Sequence, residues 1–540
     1  MKNVISIFII SIIFLGCGSS DSSSGVNDSS SKYSIEYKGL DFYSKDISLN
    51  SYALKPLSQE EFNNLSLEQK YIVSNKLLST LFFGMTQQEL KQHFESQDFI
   101  TYIQENLLTD LTNREKLESY IRDENYFDIR TNNEQEAITI LTRFYAMDKL
   151  DRYFFINWTA YILTQTIMFS PSYELESSHS PNIERVYNRL VTLLDDEATM
   201  AYITYEHMIS DDNWRRFRSP EDNGREMLEI YTLDQEDSHV PIAAKALQNW
   251  SLNRDNDTLV VGLNENTTEL NLFNTTIYNG EDFYRELAKS DAFQNGAVTR
   301  LVDFFFINTS GTQKTNIINS ILQSNPRTWQ DILKQIIFSK EYLLNTSRAK
   351  SAEELFFSLA KIMDYKLRKS SMYYLKNALE DMNQASMKYK LGKLTRVPLD
   401  TLSFAFFHKY VREQILLRYS NPDTIDDYGA WNRQGWSNSF VDNENFNYDY
   451  TDEIASIRSL INYIFISMVN REANEEELEM FINHFSYIDD ETGDRYLNYS
   501  FDIFSSRDSR EQYKINITKV VLDYISRLDE LYIFKGVSDE

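Results

Sequence analysis

One cysteine, eight prolines and fifteen glycines among 540 residues are few for a chain of this length. A lone thiol cannot close an intramolecular disulfide, nor supply a Cys-x-x-Cys-His haem attachment. So few turn formers argue against an all-β design and for long helices joined by short polar loops. Six histidines, at 93, 179, 207, 239, 408 and 484, are scattered without a His-Glu-x-x-His pair, so no zinc site is expected. The chain also lacks a Gly-x-Ser-x-Gly elbow and a glycine-rich phosphate loop, so neither a serine-hydrolase nucleophile nor a nucleotide cofactor is expected. Basic residues are outnumbered 81 to 54, a formal charge of −27, which argues against nucleic acid and anionic phosphate surfaces as general partners.

What is present is apolar mass: 42% of residues are hydrophobic and 14% aromatic, enough for a substantial core. Helical spacing predicts helices over Leu57 to Leu81, with Ser58 and Glu61 at capping-box distance, and from Thr86 to Leu107 after a turn at Gly84. Others are predicted at Glu134 to Met147, Leu150 to Met168, Asn182 to Leu194, Ala198 to Ile209, Gly280 to Ser290, Gly296 to Phe306, Lys314 to Gln323, Thr328 to Leu344, Ala352 to Met363, Ser370 to Asp381 and Leu399 to Tyr419. Thr258 to Leu263 and Thr268 to Phe273 are short and partly alternating, and predict one small β-hairpin. The expected fold is a mostly α, multi-helix globular domain with a small β-hairpin insertion. Residues 51–420 form its main part, 421–450 a long polar and aromatic loop containing Trp431 and Trp436, and 451–540 a helical part packing on the main domain.

The chain is organised around Ser219 to Trp250, which reads as two helices. Ser219 can cap, Pro220 suits the first helical position, and Glu221 and Asp222 complement the positive helix end. At 100° per residue Met227, Leu228, Ile230 and Tyr231 share an apolar arc, and Asp222, Arg225, Glu226 and Glu229 the opposite one. Three arrangements fit: surface pairing of Arg225 with Asp222 and Glu229, a cleft in which Arg225 orients Glu226 or Glu229 as a ligand-binding or acid/base group, and a buried polar network. The candidate binding residues are therefore Asp222, Arg225, Glu226 and Glu229, with Lys245 and Trp250 on the following helix.

At the start, Lys2 precedes an apolar run from Val4 to Leu15, too short to span a bilayer, which predicts a signal peptide over 1–16. Phe14-Leu15-Gly16-Cys17 resembles the lipobox of bacterial lipoproteins, with Phe14 where leucine is usual. That resemblance implies acylation of Cys17, a membrane anchor through that lipid, and by the Gly18 that follows, the outer membrane. An ordinary cleaved signal peptide would leave a lone exported cysteine without a role. The Ser, Gly, Asp and Asn segment that follows is too polar to bury, and makes 17–50 a tether.

Four segments in order resemble the bacterial family known as domain of unknown function 1800. Leu77 to Leu90 is similar to its Leu-Leu-x-Arg-x-x-Phe-Gly-x-Thr-x-x-Glu, with Thr80 in place of arginine. Pro220 to Leu233 is similar to Asn-Glu-Asn-x-Ala-Arg-Glu-x-Met-Glu-Leu-Phe-Thr-Leu, departing at Pro220, Asp222 and Gly224. Ala243 to Trp250 is similar to Ala-Ala-Arg-Ala-Leu-Thr-Gly-Trp, with Lys245 for arginine. Ser339 to Tyr342 and Lys350 to Glu354 are similar to a Ser-Pro-Glu-Phe and a Lys-x-Pro-x-Glu element. Where the family shows Phe-Trp-His-x-His-Phe this chain has Phe154-Phe155-Ile156-Asn157-Trp158-Thr159, so any histidine chemistry would be missing. The family brings no established activity. The resemblance implies an exported protein, often beside a second exported protein similar to the sulfatase and phosphatase superfamily.

Three oxygen-rich stretches could hold calcium, Asp255 to Asp257, Asp442 to Asp452 and Asp489 to Asp494, but none has EF-hand spacing and solvated acidic loops are the expectation. Two functions follow as expectations. One is an envelope-anchored lipoprotein acting as a binding or assembly component. The other is a hydrolase of polysaccharide or another envelope polymer working through a carboxylate and arginine cleft.

Overall fold

The structure, a computed structural model, describes residues 54–122, 133–168, 183–233, 237–253, 255–307, 309–363, 379, 401–412, 451–497 and 509–537. The fold is mostly α-helical, and the sheets among the described residues are all two-stranded. Cys17 and its tether, the Asp442 to Tyr450 stretch, Trp431 and Trp436 lie outside the described residues. None of the described helices is long and apolar enough to cross a membrane.

Helix starts follow the capping chemistry. Ser58 with Glu61, Ser66 with Gln69, Thr86 with Glu89, Ser351 with Glu354 and Asn474 with Glu477 each form a reciprocal capping box. Lys340 and the Ser58 backbone amide together hold the Glu61 carboxyl down to about 2. Long predicted helices are broken where the chain turns. Leu57 to Leu81 is two helices, Gln59–Asn63 and Leu67–Thr80, and Thr86 to Leu107 breaks at Gln97, whose φ is 56°. Thr328 to Leu344 stops as an α-helix at Ile337 and resumes as a wider turn over Glu341–Asn345.

The chain divides into two compact units, one built from Asp196–Ala297, the other from Asp46–Phe169, Ile183–Asp195 and Val298–Glu540. In the first, the helices Pro220–Thr232 and Val240–Ala246 lie against each other so closely that a Cβ on Gly224 would sit 2.5 Å from the Ala243 Cβ. Two hairpins follow where the sequence predicts one. Trp250–Asn253 pairs with Thr258–Val261, and Leu270–Leu272 with Thr275–Ile277. Trp250 thus opens a strand instead of ending a helix. Its ring is buried, stacked on Trp214 at 6.0 Å and edge-on to Tyr284 at 5.3 Å, and this burial outweighs helical continuation.

In the second unit the helix Arg152–Thr166 is buried all round, which explains why its residues show almost no amphipathic pattern. Residues near the chain's end return to its middle. Ile533–Phe534 pairs antiparallel with Arg348–Ala349, Arg348 opposite Phe534. A further hairpin, Ser486–Ile488 with Arg495–Leu497, turns through the acidic Asp489 to Asp494 stretch.

Candidate functional site

The charged arc of the Pro220–Thr232 helix is only partly open to water. Asp222 and Glu229 are exposed, Arg225 is 34% exposed by side chain, and Glu226 is buried. Arg225 pairs with Glu221, one turn back, at 3.5 Å, and with Asp237 on the following turn. Those carboxylates raise its pKa, Asp237 foremost. Lys245 is exposed and donates to Gln248 Oε1 at 2.9 Å, and Trp250 belongs to the core. The six residues therefore do not converge. The side chain that ties this helix to its neighbours is one that sequence reading passes over. Asn223 is fully buried, accepts from the Tyr284 hydroxyl at 2.7 Å and donates to the Phe217 carbonyl at 3.4 Å.

The second unit holds a buried charged network. Arg348 and Glu354 form a bidentate pair, Nη2 to Oε1 at 2.7 Å and Nη1 to Oε2 at 2.9 Å, with neither side chain exposed. The same Glu354 accepts from the Ser351 amide, so one carboxylate caps its helix and neutralises the arginine. Arg348 also donates to the Tyr342 hydroxyl at 2.6 Å, and that hydroxyl lies 2.7 Å from Thr80 Oγ1. Burial works against the charged guanidinium, and Glu354 followed by Tyr342 keeps its pKa raised nonetheless. Lys76, 1% exposed, donates to the Thr346 carbonyl and lies over the Tyr342 ring. Trp158 donates to the Thr80 carbonyl, and Tyr161 to Glu353, at 2.8 and 2.7 Å. The segments Leu77 to Leu90 and Lys350 to Glu354, far apart in sequence, meet here.

Lys350 completes the cluster. Its amine sits 5.3 Å from the Phe534 ring centroid, and the Arg348 guanidinium 4.8 Å from the same centroid. Burial foremost, with Arg348 adding to it against the pull of Glu354, pushes this lysine down to about 8. Phe534 and Lys76 also line a cleft with Glu68, Asn470, Arg471 and Glu530, whose volume of about 40 Å³ suits a few water molecules. Small-molecule sites are roughly ten times larger. Arg471 is engaged bidentately by Glu477 at 2.8 and 3.0 Å and faces Glu530 at 3.5 Å.

Among the described residues no three His, Cys, Asp or Glu side chains are grouped to hold a metal. In the Asp255 to Asp257 and Asp489 to Asp494 loops, side chains are engaged by the backbone or by an ion pair. Asn256 Oδ1 accepts from Thr258, Asp489 Oδ1 accepts from Glu491 and Thr492, and Asp257 lies 3.5 Å from Arg215.

Fold and sites together define a mostly α-helical protein with a buried Arg–Glu centre and a solvent-facing charged helix. No family model, curated protein or solved structure matches the chain.

Proposed function

We propose that this chain is a lipoprotein of the cell envelope, anchored through Cys17 and favouring the outer membrane, that acts as a binding or assembly component beside a second exported protein. The apolar leader, the small residue before a lone cysteine and the polar tether support the anchor. The resemblance to the domain of unknown function 1800 family supports the partner of the sulfatase and phosphatase superfamily.

One observation favours binding over hydrolysis: Asp222, Arg225 and Glu229 stand on an open helix face and Arg225 is engaged by Glu221 and Asp237. A hydrolytic carboxylate pair needs two environments that push their pKa values apart, one of them desolvated. Asp222 and Glu229 are exposed while Glu226 is buried, so the carboxylates of the arc do not open together into one cleft where such a pair could work.

The test is metabolic labelling with an alkyne palmitate of the intact chain and Cys17→Ser, followed by pull-down from native envelopes through a C-terminal tag. Label on the wild type alone, with a stoichiometric exported partner, is the expected result. Absence of label, or recovery of glycan without protein, would overturn the anchor or the assembly role respectively.

A further inference from the structure

The Ser486–Ile488 and Arg495–Leu497 ribbon carries an exposed aromatic surface among the described residues. Tyr487 and Tyr496 are a cross-strand pair, their ring centroids 6.0 Å apart, and they remain 51% and 45% exposed. On the second strand alternation explains the exposure, whereas on the first Ile488, which points the other way, is 57% exposed as well. Leu497 and Arg495 belong to the opposite face, where Leu497 is buried and Arg495 bonds Glu479 at 3.2 Å and Asn483 at 3.0 Å. The tyrosine face is thereby left to solvent.

The turn between the strands is acidic and ordered. Asp489 bonds back to Asp494 across it, and Gly493 takes the left-handed φ of +75° that the turn requires. Asp490, Glu491 and Asp494 are exposed, and the Tyr496 hydroxyl donates to Asp494 at 3.4 Å, which sets a carboxylate beside the rings.

Charge decides the occupant. A membrane surface would meet Asp490 and Glu491 first, at the tip, and charged groups resist entry into lipid. A second copy of this chain brings another −27, and phosphate backbones are repelled likewise. Aromatic faces edged by carboxylates suit cationic side chains, which can lie on a ring and pair with an acid at once.

We infer that the Tyr487–Tyr496 ribbon is a docking surface for an arginine- or lysine-bearing segment of a partner protein. This rests on the reading of the chain as a binding component and supplies the surface and the chemistry of what it binds.

The test is calorimetric titration of the purified full chain with a hexa-arginine amide and its neutral hexa-citrulline counterpart at physiological ionic strength. The arginine peptide should bind and the citrulline peptide should not. Tyr487→Ser with Tyr496→Ser should weaken binding about tenfold, the paired Phe variants should retain it, and Asp490→Asn, Glu491→Gln, Asp494→Asn should weaken it comparably. A control triple, Glu68→Gln, Glu105→Gln, Glu115→Gln, removes the same charge elsewhere and should leave affinity unchanged. No binding of the arginine peptide, equal loss in the control, or wild-type affinity in the serine variant overturns the docking surface. None of these outcomes bears on the anchor, which palmitate labelling reads separately.

Discussion

Arg348 and Glu354 share two hydrogen bonds, at 2.7 and 2.9 Å, in a place where neither side chain touches solvent. Removing one partner leaves the other charge buried and uncompensated. Glu354→Ala is therefore expected to destabilise the protein by about 3–5 kcal/mol, while Arg348→Met with Glu354→Leu loses much less. Urea denaturation of the two variants checks this, and equal losses would contradict it.

The lysine beside that pair gives a pH signature. Folding lowers the Lys350 pKa from 10.5 to about 8, so between those values the unfolded chain holds a proton that the folded chain has released. Stability rises with pH where the unfolded state binds more protons, so the cost of burying this cation is full below about pH 8 and fades towards pH 10.5. Lys350→Met should be the more stable protein at pH 7, by about 1–3 kcal/mol, and should lose that advantage as pH climbs through the window. Denaturation midpoints of both proteins at pH 7 and 9.5 measure the difference. An advantage independent of pH would refute the assignment.

Gly224 offers a steric test. In an open helix Gly→Ala stabilises by about 1 kcal/mol, but here the added methyl would meet the Ala243 Cβ at 2.5 Å. Gly224→Ala is expected to destabilise by about 1–3 kcal/mol, and Ala243→Gly in the same chain to recover part of the loss. Thermal melts of the single and double variants decide the sign.

Asn223 and Arg225 stand two residues apart and should behave oppositely. Asn223→Ala strips the Tyr284 hydroxyl of its buried acceptor and should cost about 1–3 kcal/mol. Arg225→Ala removes surface pairs and should scarcely move the melting midpoint. A large shift in the Arg225 variant would show that its pairing with Asp237 fixes the connection between the two helices.

Local features were legible in the sequence. Ser58, Thr86 and Ser219 cap helices as the sequence predicts, because a cap is chemistry within three residues. Pairings that depend on distance were not. Thr258–Val261 pairs backwards to Trp250–Asn253, and the signal is Trp250's burial between Trp214 and Tyr284, which spacing does not reveal. Helical periodicity put Arg225 near Asp222 and Glu229, but its ion pairs go to Glu221, one turn back, and to Asp237 across a turn. The Arg348 network draws on segments hundreds of residues apart. The sequence marks a helix start at Ala352, and nothing in it points to the Ser351–Glu354 cap or to the arginine that the same carboxylate neutralises.

The pairing of Arg348 with Phe534 joins two segments far apart in sequence into one cooperative element. The ring that covers the arginine and Lys350 is supplied by a strand near the end of the chain. Until that strand docks, the middle of the larger unit keeps two cations without their roof, and the contact that closes it spans a long loop that forms slowly. Release of the Ile533–Phe534 strand, by local unfolding or by a cut before it, thus unroofs Arg348 and Lys350 together and makes this short pairing a latch on the middle of the unit.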